Sequence, residues 1–341
     1  MKKISFVFFF AFLLISCQSE KVERALIDDF SFNIPLVNDI NDLFGQPGKI
    51  IQLDTVTEAL VGRIGKLIKH ENHFYILSDD RRILHFDNTG KFISSLDKRG
   101  GGPDEYTRIG DFSLFKNNGN TELWICDFNR IRKYVLSGHV WNLIGTIDFK
   151  FVIHKFKIIP DDHILFVTGQ NKESLMLSDI NGKSLRSFLK KEIPFLIFKA
   201  VQFTNYDSSV IFQLGVSNEG VALNTENLTF EHIYIVNNKH FLTSKNLLDL
   251  FNRLGQDYLR ELPNTTYIGG FCEINGNICL HYKYNGEFFI AVRRHGVWKK
   301  IKYDSENYFS IATLFGSESN DSFIFYEYPE DDNLNLILHE F

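Results

Sequence analysis

FYILSDDRRILHFDNTGKFISSL, residues 74–96, is a strand, a polar loop, a second strand, a tight turn at Gly90 and a third strand. The same unit returns as LWICDFNRIRKYVLSGHVWNLIGTI (123–147) and as ILFVTGQNKESLMLSDINGKSLRSF (164–188). It returns again as VIFQLGVSNEGVALNTENLTFEHIYIV (210–236) and as ICLHYKYNGEFFIAVRRHGVWKKI (278–301). The turns fall at Gly90, Gly138, Gly182, Asn227 and Gly296, and all but the last step are about 45 residues, the signature of a repeat architecture. Gly and Asn suit such turns because both tolerate positive φ.

A further short strand precedes each unit: IGKLIKH (64–70), IGDFSLF (109–115), HKFKIIP (154–160), VQFTNY (201–206), YIGGFCEI (267–274) and YFSIATLF (308–315). Four strands per unit and six units predict an all-β, six-bladed β-propeller of four-stranded antiparallel blades over residues 48–341. The sixth unit, SFIFYEYPEDDNLNLILHEF (322–341), supplies only two strands of its own after the short one. GKIIQLDTV (48–56) is the natural donor of the missing outer strand. Closing the ring this way leaves no sheet edge open at the seam.

The longer last step has its own cause. In SKNLLDLFNRLGQDYLRELP (244–263), Leu247, Phe251, Leu254, Tyr258 and Leu262 recur at helical spacing. Ser244 can cap the start and Pro263 ends the run. An amphipathic helix inserted between blades four and five is expected, packed on the side or rim of the propeller. A lid or a docking element is the other reading.

KRGGGPDEYTRIGDF (98–112) joins blade one to blade two. It fails as a phosphate loop: no Lys-Ser/Thr pair follows the glycines, and no helix follows them. GGGPDEY, with FDNTGKF just before it and IIQLDT near the start, resembles a family of bacterial six-bladed, NHL-like β-propeller lipoproteins whose function is uncharacterised. The family's segment reads Gly-x-Gly-Pro-Gly-Glu-Tyr; here Asp104 stands where glycine is usual. The resemblance implies the propeller fold and an envelope location, and it brings no catalytic residues.

The N-terminus has the layout of an export signal. Lys2 and Lys3 precede an apolar run, Ile4 to Ile15, too short to span a bilayer comfortably. Leu14-Ile15-Ser16-Cys17 resembles a bacterial lipobox, which implies cleavage before Cys17 and lipidation of its thiol. Residues 1–17 then form the signal peptide and residues 18–47 a tether. Gln18, rather than Asp, favours by resemblance the outer membrane, facing either the periplasm or the surface. The net charge of −5 argues against a nucleic-acid partner.

In a propeller, the loops joining second to third strands share one face with the connections between blades. Function gathers on such loops because they vary on a rigid scaffold. Candidate ligand-binding residues on this face are Asp79, Arg81, Glu105, Tyr106, Asp127, Asn129, Arg130, Lys172, Tyr284, Glu327 and Tyr328. This polar and aromatic set suits a glycan, a peptide or an envelope protein. The expected function is therefore a binding or scaffold module, with no cofactor. The alternative is a lactonase- or esterase-like hydrolase using Ca²⁺ bound by Asp79, Asp127, Asn129 and Glu327. No His-Glu-x-x-His and no Gly-x-Ser-x-Gly occurs, so zinc and a serine nucleophile have no motif behind them.

Cys272 and Cys279 flank Asn275-Gly276, a two-residue hairpin signal that sets them directly opposite each other. An oxidising compartment permits a disulfide. The register makes them a hydrogen-bonded pair with Cα atoms about 5.5 Å apart, a less comfortable site for a cross-strand bridge. Two buried free thiols are the other outcome. Cys126 is expected in the core.

Overall fold

The computed structural model describes residues 24–79, 81–169, 172–190, 199–303, 317–327 and 336–341. Its strands form six sheets arranged as a six-bladed β-propeller. Blade one runs Ile64–His70, His73–Ser78, Ile83–Asp87 and Phe92–Leu96 from the axis outward. Blades two to five repeat that order over residues 111–148, 152–190, 203–236 and 267–303.

Blade six is built from Ile324–Glu327, Ile337–Glu340 and, on its outer edge, Lys49–Gln52. Ile51 faces Leu338 and Ile50 faces His339, so the first and last parts of the propeller share one sheet, as the repeat requires. The expected inner strand 308–315 lies outside the described residues.

Packing follows from strand alternation. Side chains on the two faces of each blade meet those of its neighbours. Ile68, Tyr75 and Leu96 of blade one pack with Phe112, Leu123 and Tyr134 of blade two. Like clusters lie between blades two and three around Phe166, between three and four around Phe212, and between four and five around Tyr282. Phe323 and Phe325 join blade six to blade five, and Ile51, Leu338 and Leu67 join it to blade one. Every neighbouring pair shares an apolar seam, and many of the 34 phenylalanines fill these seams.

The tether expectation needs correction from Arg24 onward. Arg24–Ile27 pairs in parallel with the outer strand of blade four, and Leu36–Val37 with that of blade five. Helix Ile40–Phe44 then buries Leu43 and Phe44 between blades five and six. The scattered apolar residues of this segment are its anchors: Phe30 meets Tyr282 and Trp298 edge-on. Residues 18–23, the signal peptide and Cys17 lie outside the described residues.

The insertion is helical, but in two pieces. Helix Ser244–Leu254 ends at Gly255, whose φ is +57°, and a short helix Tyr258–Glu261 follows. Thr243, not Ser244, caps the start, in a capping box with Asn246. Ser244 instead donates to the Glu219 carboxylate. Leu247, Leu250, Tyr258 and Leu262 pack with Val216 from the loop of blade four, which seats the insertion on the rim of the loop face.

The repeat turns behave as expected at Gly90, Gly138, Gly182 and Gly296, all with positive φ. In the fourth repeat Leu228 takes the positive φ, while Asn227 Oδ1 accepts from the Thr229 amide. Cys272 and Cys279 are opposite one another, and both are free thiols. Cys126 is buried and donates to the Ile153 carbonyl.

Candidate functional site

The glycine-rich connector folds back on itself. Tyr106 N donates to Lys98 O (2.9 Å), Gly100 N to Tyr106 O (3.0 Å) and Gly102 N to the Glu105 carboxylate (2.7 Å). Two of the three glycines, Gly100 and Gly102, lie against that carboxylate and neither needs positive φ; a Cβ on Gly101 would meet nothing within 4 Å. A Cβ on Gly100 would stand 1.9 Å from Glu105 Oε2.

Tyr106 was expected to face a ligand, and the fold buries it completely. Its hydroxyl donates to Arg81 O (2.8 Å) and Leu96 O (3.2 Å), pinning the connector to blade one. Tyr106→Phe should cost about 1–3 kcal/mol, since the buried Leu96 carbonyl and the part-buried Arg81 carbonyl lose their shared donor. Chemical denaturation would measure it.

Asp127 is likewise buried. Its carboxylate accepts from Thr107 N (3.3 Å) and Arg108 N (3.2 Å) and pairs with Arg132 Nε (3.3 Å). Arg132 Nη1 in turn donates to Pro103 O (3.0 Å). The Asp127–Arg132 pair thus fixes the far side of the same connector.

Between these supports lies an open depression of about 360 Å³, lined by the glycines, Glu105, Asp127, Phe128, Asn129, Arg130 and Arg132. Four candidates from the sequence, Glu105, Asp127, Asn129 and Arg130, therefore meet at one place. The others are dispersed. Asp79 Oδ1 accepts from Arg63 N, and Arg81 is an exposed turn residue with φ of +67°. Lys172 is exposed, and Tyr284 stacks on Phe32 at 4.0 Å against the core of blades four and five. Glu327 pairs with His339 Nε2 (2.8 Å), and Tyr328 lies outside the described residues. Among the described residues, no three His, Cys, Asp or Glu side chains are grouped to hold a metal ion.

Phe128 was overlooked in the sequence although DFNR contains it. A single exposed apolar residue is ordinary. Only its backbone angle and its neighbours set it apart.

The axis carries a second polar system. Lys66 Nζ contacts Asp111 Oδ1 (3.1 Å), Phe112 O (2.9 Å) and Glu318 Oε2 (3.4 Å). Lys157 Nζ reaches Glu318 Oε1 at 2.5 Å. Ser317–Glu318 pairs in parallel with the innermost strand of blade one, so Glu318 links blades one, three and six. Cavities of about 320 and 380 Å³ flank this segment, both lined by Lys157, Asn205, Asp207, Glu318 and Asn320. They adjoin the turns between first and second strands, opposite the loop face. Lysines spaced by two in HKFKIIP, on an innermost strand, were the available sequence signal.

Burial alone would raise the Glu318 carboxyl, but Lys157 and Lys66 outweigh it and hold it at about 2. That lies below its ordinary value of 4.5, so the ionised form favours the fold. The contribution is present above pH 4.5 and is lost as the pH falls toward 2. Glu318→Gln should flatten the stability profile across that window; an unchanged acid limb in pH-dependent thermal melts would contradict it.

The family described as "Domain of unknown function (DUF4934)" matches residues 39–338. The chain belongs to the DUF4934 family. This DUF4934 chain has no match among curated proteins. It is similar in structure to a predicted exported protein of Bacteroides fragilis NCTC 9343, at 14% identity and a TM-score of 0.68, covering 93% of this chain and 99% of that one. Weaker likenesses are to a luciferin-regenerating enzyme (TM-score 0.46, 10% identity, 86% and 94% covered) and an ancestral GH74 enzyme (0.45, 10%, 83% and 48%). The first supports the propeller fold of this DUF4934 chain. No helix among its described residues is long and apolar enough to cross a membrane.

Proposed function

We propose that this protein is an envelope-anchored binding or scaffold module that engages a glycan, a peptide or a partner protein through the loop face. The carrying observation is the depression between blades one and two, where Glu105, Asn129 and Arg130 converge over a framework fixed by Tyr106, Asp127 and Arg132. Held side chains around an open hollow bind without first being ordered. The hollow is at the low end of the roughly 300–1,000 Å³ usual for ligand sites. Such a role needs no cofactor and no nucleic acid.

The address belongs to the same proposal. The basic start, short apolar run and Leu-Ile-Ser-Cys of residues 1–17 support export and a lipid on Cys17, and the similar Bacteroides protein carries a description as exported. An outer-membrane lipoprotein is the form we favour. Metabolic labelling with palmitate should mark the wild type and miss Cys17→Ser.

Binding is tested by presenting the chain from residue 18 onward to glycan arrays, peptide arrays and detergent-solubilised envelope protein. Capture that Asn129→Ala and Arg130→Ala both weaken supports the loop face. Capture that neither change affects removes the site from consideration.

A further inference from the structure

Phe128 occupies a position that its backbone does not favour. The turn between Asp127 and Arg130 has two residues, and positive φ falls on the first of them, Phe128, at +56°. The next turn of the same blade, between Ser137 and Val140, also puts positive φ first, and there the residue is Gly138 at +63°. Among the described residues Phe128 is the one Phe, Tyr or Trp with positive φ.

The turn's shape has a local cause. Phe128 O accepts from Ile153 N (2.8 Å) and Asn129 O from Phe149 N (2.7 Å), which locks the turn to the next connector. Glycine would meet that demand with less strain. Nothing in it calls for an aromatic ring. The residue is 44% exposed and lines the depression, and the Arg108 guanidinium covers one face of its ring, 4.4 Å from the centroid. Arg108 stands outside the depression, and its Nε is buried without a hydrogen-bond partner among the described residues. A strained aromatic kept at an open site points to use of the ring.

We propose that Phe128 is the stacking platform of a subsite for a neutral pyranose ring, a narrowing that rests on the loop-face binding reading. A pyranose offers an apolar C–H face to an aromatic plane and a rim of hydroxyls to polar groups. Around Phe128 that rim would meet the Glu105 carboxylate, the Asn129 carboxamide and the Arg130 guanidinium. The charges around the ring cancel, Glu105, Asp127 and Asp148 against Arg108, Arg130 and Arg132, which favours an uncharged ligand over a uronate or a phosphopeptide. Proline-rich peptides dock in grooves walled by several aromatics, and here there is one.

The test uses the chain from residue 18 on an array of neutral oligosaccharides, with uronate-bearing glycans and tiled peptides as further arms. Neutral oligosaccharides should bind, and Phe128→Ala and Phe128→Gly should each weaken that binding about tenfold or more. Phe128→Trp should retain it. Thermal melts accompany each variant; Phe128→Gly should melt no lower than Phe128→Ala, so that lost binding cannot be charged to unfolding. Neutral-glycan binding indifferent to Phe128, or no neutral glycan bound at all, overturns the proposal. Peptide binding that depends on Arg130 but not on Phe128 would overturn it while leaving the wider loop-face reading intact.

Discussion

Asp111→Ala is expected to lower the stability of the propeller by about 3–5 kcal/mol, because breaking a buried ion pair leaves its other charge uncompensated. The side chains of Lys66 and Asp111 are 4% and 2% exposed. Asp111 also accepts from Phe112 N (3.0 Å) and Phe156 N (3.1 Å), and Lys155 Nζ stands 3.9 Å away. One carboxylate thus holds the inner strands of blades one, two and three together. Removing it leaves Lys66 facing Lys157 with Glu318 alone between them. The double change Lys66→Met with Asp111→Leu should recover much of the loss, since an apolar pair of similar volume needs no counter-charge. Recovery stays incomplete because the Phe156 amide remains without its acceptor. Urea unfolding of the three chains measures both effects. A loss under about 1 kcal/mol for Asp111→Ala would class the pair with exposed ones.

The second large effect concerns the seam of the ring. Ile51 is buried against Leu338, Ile324 and Leu53, whereas Ile50, the next residue on the same strand, is 61% exposed. Ile51→Asp places a carboxylate in an apolar seam without a partner and should cost about 4 kcal/mol or more. Ile50→Asp should stay within about 0.5 kcal/mol, as surface changes usually do. The contrast between adjacent residues is the point of the experiment. It follows only if 49–52 is a strand with one face in the core. Equal effects would mean that the segment is not held in that register.

The propeller was legible because its signal is local and repeated. Alternating apolar runs and positive-φ glycines need no knowledge of distant residues, and six copies reinforce one another. The strands at 24–27 and 36–37 are short, and each finds its mate on the outer edge of a blade over 200 residues away. Nothing near Leu26 or Phe30 announces that mate, so the stretch resembles a tether. The site divides in the same way. Loops 78–82 and 127–130 could be placed on one face from the repeat alone. Which of their residues would be engaged internally could not. Tyr106 is claimed by Arg81 O, and Asp127 by Arg132 and by two amides of the connector. Glu318 and Lys66 are brought together only by closure of the ring. Phe128 looked unremarkable as a letter in DFNR, and its φ is what gives it meaning.

Everything placed on either face depends on the ring being closed by its N-terminal strand. Ile50 and His339 face each other across the seam, one step from the bonded Ile51–Leu338 pair, in a wide, non-hydrogen-bonded position where side chains approach closely. The most direct measurement is therefore the double substitution Ile50→Cys with His339→Cys, oxidised in the folded protein and mapped by peptide mass analysis. A closed ring gives one new disulfide between residues 50 and 339, formed without loss of stability. Recovery of both thiols free, or of either one bridged to Cys126, Cys272 or Cys279 instead, would contradict it.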